Sequence, residues 1–136
     1  MISQTAKYAL QILGHLVVHG PALVKGEDIA KSTGIPVNYL SKILNQLRKN
    51  GFVHSQKGWG GGFRLEPAAL SRPIMDIIMV FDGLNGCRAE SCAFGLSHCD
   101  EENPCPLHPF WGRIRETYVE MLNSTPVENL KVVERA

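Results

Sequence analysis

A chain of 136 residues, 44% hydrophobic and 20% charged, has the length of one domain plus an appendage and the composition of an ordinary folded protein, which sets aside two full domains and the disordered and fibrous classes. No apolar run reaches the roughly 18–20 residues that span a bilayer, and Met1-Ile2-Ser3-Gln4 lacks the basic region and apolar core of a secretion signal. The expected location is therefore the cytoplasm, without a membrane partner.

In residues 3–19, Ala6, Leu10, Leu13 and Val17 recur at helical spacing, and Gly20-Pro21 stops the helix. Residues 25–32 form a short second helix with Ile29 and Ala30 inward, and Gly34 can supply a left-handed turn at its end. The third helix starts at Pro36, a residue suited to a first turn, and Leu40, Ile43, Leu44 and Leu47 make one apolar stripe until Gly51. Two helices joined by a tight glycine turn make a helix-turn-helix. Residues 52–56 and 63–65 are short extended pieces flanking Lys57-Gly58-Trp59-Gly60-Gly61-Gly62, a hairpin with a glycine-rich tip. A fourth helix over residues 73–81 sets Ile74, Ile77, Ile78 and Phe81 on one side, and Asp82-Gly83 closes it. Residues 84–106 have no period. Residues 107–122 are helical again, with Phe110, Ile114, Tyr118 and Met121 on a face that is long for so small a core. The expected fold is mainly α with a small β wing, a winged helix-turn-helix followed by a long C-terminal helix.

The net charge of +1 says little about nucleic acid, but its distribution says more. From Asn38 to Leu65 every formal charge is positive, whereas Glu90 to Glu102 carries four acids and no base. In a major groove the third helix would offer Asn38, Tyr39, Ser41, Lys42, Asn45 and Gln46 to bases or phosphates. Lys42, Arg48, Lys57 and Arg64 would lie over phosphates, and Gly60 and Gly61 would let the wing backbone approach the minor groove. The plain alternative is a helical scaffold with solvated lysines. For Trp59 the ordinary role is packing against the base of the wing, and the other is insertion beside a sugar or phosphate.

Cys87, Cys92, Cys99 and Cys105 need their own explanation. Without a secretion signal, metal binding or redox sensing is favoured over disulfides. Six residues separate Cys92 from Cys99, five separate Cys99 from Cys105, and two separate Cys105 from His108. A flexible loop can wrap three thiolates around a small cluster at these spacings, and His108, one turn beyond Cys105, can add an imidazole. Three alternatives stand beside this: a structural zinc site, a cluster-free thiol switch, and Cys87 or His98 as the fourth ligand. No Cys-x-x-Cys pair, phosphate-binding loop or shared carboxylate pair points to an enzyme.

Tyr39-Leu40, Leu47-Arg48-Lys49-Asn50-Gly51 and Gly58-Trp59-Gly60-Gly61-Gly62-Phe63-Arg64-Leu65 resemble the Rrf-type transcription regulators, the family of IscR, NsrR and CymR. With Tyr8-Ala9-Leu10, Asp82-Gly83 and a cysteine loop before a long helix, the resemblance covers nearly the whole chain. It implies a homodimer that binds a palindromic double-stranded DNA operator, divided into a DNA-binding domain (1–83), a cluster-binding loop (84–106) and a dimerisation helix with its tail (107–136). It also implies Cys92, Cys99, Cys105 and His108 as ligands of an iron–sulfur cluster, 2Fe–2S foremost and 4Fe–4S as the alternative. The implied function is transcriptional control, as by a repressor, that answers to iron, redox state or nitric oxide. Relatives that take a ligand from the partner's first helix place it where Lys7 and Gln11 stand here, so a ligand within the loop is expected. Phe110 and Trp111 are expected in the dimer seam.

Overall fold

The computed structural model describes residues 1–88 and 92–131. Glu90 and the tail 132–136 lie outside them. Among the described residues five α-helices and one hairpin follow in order: α1 (Gln4–His19), α2 (Gly26–Thr33), α3 (Val37–Lys49), β1 (Val53–Gln56), β2 (Gly62–Leu65), α4 (Ile74–Arg88) and α5 (His108–Ser124). Short 3-10 turns occupy Pro67–Ala69 and Val127–Asn129. No helix among the described residues is long and apolar enough to cross a membrane.

A side chain caps the start of α1, and glycine amides close the ends of α1 and α2, satisfying backbone groups that a helix end leaves free. The Ser3 hydroxyl accepts from the Ala6 amide at 3.1 Å and caps α1. Gly34, left-handed at φ 72°, ends α2 and donates to Ala30 at 2.9 Å. One turn later α3 begins, and its stripe of Leu40, Ile43, Leu44 and Leu47 is buried against α1 and α2. Each such leucine or isoleucine contributes on the order of 1.5–3 kcal/mol by leaving water.

β1 and β2 pair antiparallel, with Val53 opposite Leu65, His54 opposite Arg64 and Ser55 opposite Phe63. Alternation puts Val53 and Leu65 in the core and leaves the tip in solvent. A short bridge docks the wing onto the α1–α2 connection, where Val24 and Phe63 exchange two backbone hydrogen bonds of 2.8 Å. Gly62 permits this contact, because a Cβ there would lie 2.6 Å from the Val24 carbonyl oxygen.

Two segments depart from the sequence pattern. Asp82-Gly83 bends α4 instead of closing it: Gly83 takes φ 67°, and the helix resumes through residues 84–88. The resumed turn is held because Gly86 and Cys87 are buried, the latter in the same core as α1. Cys87 therefore lies in a core helix, not in an irregular loop. After α5, residues 125–130 return to the winged helix: the Ile74 amide donates to Thr125, Val127 to Arg72 and Glu128 to Leu70, all at 2.9–3.0 Å. Val127 is fully buried there.

Candidate nucleic-acid interface and sensor loop

The reading surface follows from the buried stripe of α3. With Leu40, Ile43, Leu44 and Leu47 inward, helical geometry turns Asn38, Tyr39, Ser41, Lys42, Asn45, Gln46 and Arg48 outward, and all are exposed. Arg48 donates to the Asn45 amide oxygen at 2.9 Å, which fixes two candidate contacts relative to each other. Between α3 and the wing lies a groove of about 330 Å³, lined by Val37, Ser41, Asn45, Arg48, Ser55 and Phe63. Lys57, Gly60 and the fully exposed Trp59, at 104% relative accessibility, form the wing tip. The ordinary packing role for Trp59 is thus overturned: the glycines on either side hold it at the apex, away from the wing base. Gly61 belongs to the turn itself, since a Cβ there would fall 2.1 Å from the Gln56 carbonyl oxygen. Arg64 alternates to the hairpin face opposite Ser55 and Phe63, beside Gly20 and Pro21. It is not part of the α3 groove.

Arg72 is absent from the sequence reading. It stacks over the Phe52 ring at 3.9 Å, donates to the Asn50 carbonyl at 2.9 Å and pairs with Asp76 at 3.1 Å. One guanidinium thereby locks the end of α3 to the start of α4. A lone arginine between elements carries no periodic signal that would announce it.

In the cysteine loop the four expected ligands come together as two pairs. Cys92 Sγ lies 3.8 Å from Cys105 Sγ, and Cys99 Sγ lies 3.3 Å from His108 Nδ1. The His108 amide donates to the Cys105 carbonyl at 3.0 Å as α5 begins, tying the second pair to the first. No three His, Cys, Asp or Glu side chains among the described residues converge on one point. The Leu96 amide and then the Phe94 amide hold the Cys92 thiol below its ordinary pKa of 9.0; burial opposes them, and the Cys105 thiol and Gly95 amide add to them. Asp100 accepts from the Glu102 and Asn103 amides at 2.9 and 3.3 Å and so shapes the turn between Cys99 and Cys105. Of the alternative ligands, His98 is exposed and engages Ser97 at 3.0 Å. Cys87 is 3% exposed, with its thiol 3.8 Å from the Met75 carbonyl.

The bend in α4 is braced on both sides, to α1 and to α5. The Ser3 amide donates to Asp82 at 2.9 Å and the Ser3 hydroxyl to the same carboxylate, next to the Gly83 bend. On the far side of the bend, the Tyr118 hydroxyl of α5 donates to the Gly86 carbonyl at 2.5 Å. Burial, then Asp82 and Cys87, raises the Tyr118 pKa and keeps that hydroxyl a donor. Tyr118 thus serves the chain's own core instead of the exposed face of α5, where Phe110, Ile114 and Met121 remain in solvent.

A helix-turn-helix transcriptional regulator of Aquifex aeolicus is 34% identical over 136 residues, which span 98% of this chain and 93% of that one. The regulator IscR of Photorhabdus laumondii is 29% identical over 132 residues, 95% of this chain and 77% of its own. The structure of CymR, the global cysteine regulator of B. subtilis, superposes with a TM-score of 0.75 at 28% identity, covering 96% of this chain and 95% of that one. These relatives are transcriptional regulators, not enzymes. Residues 2–132 match the Rrf2 family, described as iron-dependent transcriptional regulators, and the chain belongs to that family of winged-helix, DNA-binding regulators.

Proposed function

We propose that the protein is a homodimeric regulator that binds a palindromic operator through α3 and the wing, with its DNA affinity set by an iron–sulfur cluster on Cys92, Cys99, Cys105 and His108. The observation that carries the sensor half is the pairing of the four donors. Two thiolates on one tetrahedral metal at about 2.3 Å stand about 3.8 Å apart, and a thiolate and an imidazole nitrogen about 3.5 Å apart. In the structure the two separations are 3.8 and 3.3 Å. A two-iron cluster takes two protein donors per iron, so the donor set fits a 2Fe–2S group. A zinc ion would need all four donors on one point.

When bound, the cluster would supply a redox-active and labile iron centre. The chain's own part is transmission. Cys105 and His108 are joined by a backbone hydrogen bond at the first residue of α5, so ligation by His108 would fix the start of that helix. Tyr118 would link α5 to Gly86, and the Asp82–Ser3 contact would link α4 to α1. The exposed stripe of Phe110, Ile114 and Met121 on α5 suits a second copy of the chain, because burying it removes large apolar groups from water.

A thiol switch is the second reading, favoured by one observation. Cys92, with its lowered pKa, faces Cys105 at 3.8 Å and could close a disulfide, passing two electrons to an oxidant such as a peroxide. Anaerobic purification separates the two. Near-equal iron and sulfide, two of each per chain, lost in Cys92→Ala, Cys99→Ala and Cys105→Ala and weakened in His108→Ala, supports the cluster. Colourless protein whose operator affinity changes only with oxidation of Cys92 and Cys105 supports the switch.

A further inference from the structure

We propose that Trp59 reads the DNA minor groove, its indole N–H donating to the acceptors of A·T pairs at the outer edge of each half-site. The inference rests on the reading of α3 and the wing as the DNA-binding surface. Between Gln56 and Phe63 only Lys57 and Trp59 carry side chains. Gly58 at φ 91° and Gly60 at φ 78° turn the chain on both sides of Trp59, and the Gly61 amide closes the turn on Gly58 at 3.0 Å. The product is a thin blade with one cation and one fully hydrated indole at its apex.

That shape and chemistry suit one groove. The minor groove is about 6 Å wide, too narrow for a helix but open to glycine backbone and a flat ring. Its floor at A·T pairs presents only acceptors, adenine N3 and thymine O2, whereas G·C pairs add an amino donor. Indole has a donor and no hydrogen-bond acceptor, so it matches A·T and meets the guanine amino group donor to donor. Lys57 adds the positive charge that the narrow A·T groove attracts. The ring faces then bury against sugars, an apolar contact indifferent to sequence.

The test begins by selecting the operator from random DNA with the full-length protein. Its outer pairs are then set to A·T, G·C or inosine·C, the last matching G·C in the major groove but lacking the minor-groove amino group. A·T and inosine·C sites should bind alike, and about 2- to 10-fold tighter than G·C sites. Trp59→Phe should lose that discrimination while keeping most affinity, and Trp59→Ala should bind about 5- to 100-fold more weakly at every site. The chain has two tryptophans, so the emission of Trp59 is the difference between wild-type and Trp59→Phe protein, and saturating DNA should shift or quench it. A selected palindrome for which inosine·C behaves as G·C, or at which Trp59 emission stays that of a hydrated indole, overturns the assignment and leaves DNA binding intact. If no palindrome is enriched, both fail.

Discussion

Replacing Gly62 by alanine should undock the wing. The new Cβ would lie 2.6 and 2.8 Å from the carbonyl oxygen and carbon of Val24, backbone atoms that can retreat only by breaking both 2.8 Å bonds of the Val24–Phe63 bridge. Losing two such bonds removes about 1–3 kcal/mol, and alanine at φ 151° adds about 1–3 kcal/mol of strain. The total is roughly 2–6 kcal/mol, against about 5–15 kcal/mol for a whole domain. Gly60→Ala is the internal control: at φ 78° a Cβ meets nothing within 4 Å, so only the strain of about 1–3 kcal/mol applies. At about 3–5 °C per kcal/mol for a chain of this size, Gly62→Ala should melt at least about 3 °C below Gly60→Ala in thermal circular dichroism. Equal melting temperatures would refute the bridge as the wing's anchor.

Three more expectations follow from named contacts. Lys42→Ala, Arg48→Ala and Lys57→Ala should each flatten the salt dependence of operator binding by roughly one unit of slope; an equal change in Arg64→Ala would show that the far hairpin face also touches phosphate. Cys87→Ala should retain its iron yet lose about 1 kcal/mol of stability to a void beside Met75, read from the denaturant midpoint, and loss of iron would return Cys87 to the ligand set. Burial and then His19 lower the pKa of His15 from 6.5, against a smaller effect of Asp28, and its buried Nε2 has no hydrogen-bond partner among the described residues. The unfolded chain therefore takes up a proton that the folded chain resists, so stability is full above pH 6.5 and declines as pH falls below it. His15→Gln should lessen that decline between pH 7 and 5, and parallel melting curves for the two proteins would exclude it.

The sequence by itself determined what local periodicity and backbone chemistry decide. Leu40, Ile43, Leu44 and Leu47 announce α3 because a 3.6-residue repeat leaves one solution for its buried side, and that choice also turns Asn38, Ser41 and Lys42 outward. The glycines after Lys57 announce a tight turn because few other residues fit one. Tertiary structure decided what depends on distant partners. Gly83 could end a helix or bend it, and burial of Gly86 and Cys87, with Tyr118 thirty-two residues away, selects the bend. Tyr118 shares the helical face of Ile114 and Met121, yet its hydroxyl finds the Gly86 carbonyl and draws it into the chain's own core. Cysteine spacing sets how far each thiol can reach, not which donor it meets: pairing Cys92 with Cys105 and Cys99 with His108 depends on the turn at Asp100 and the start of α5, where the loop's two ends are fixed.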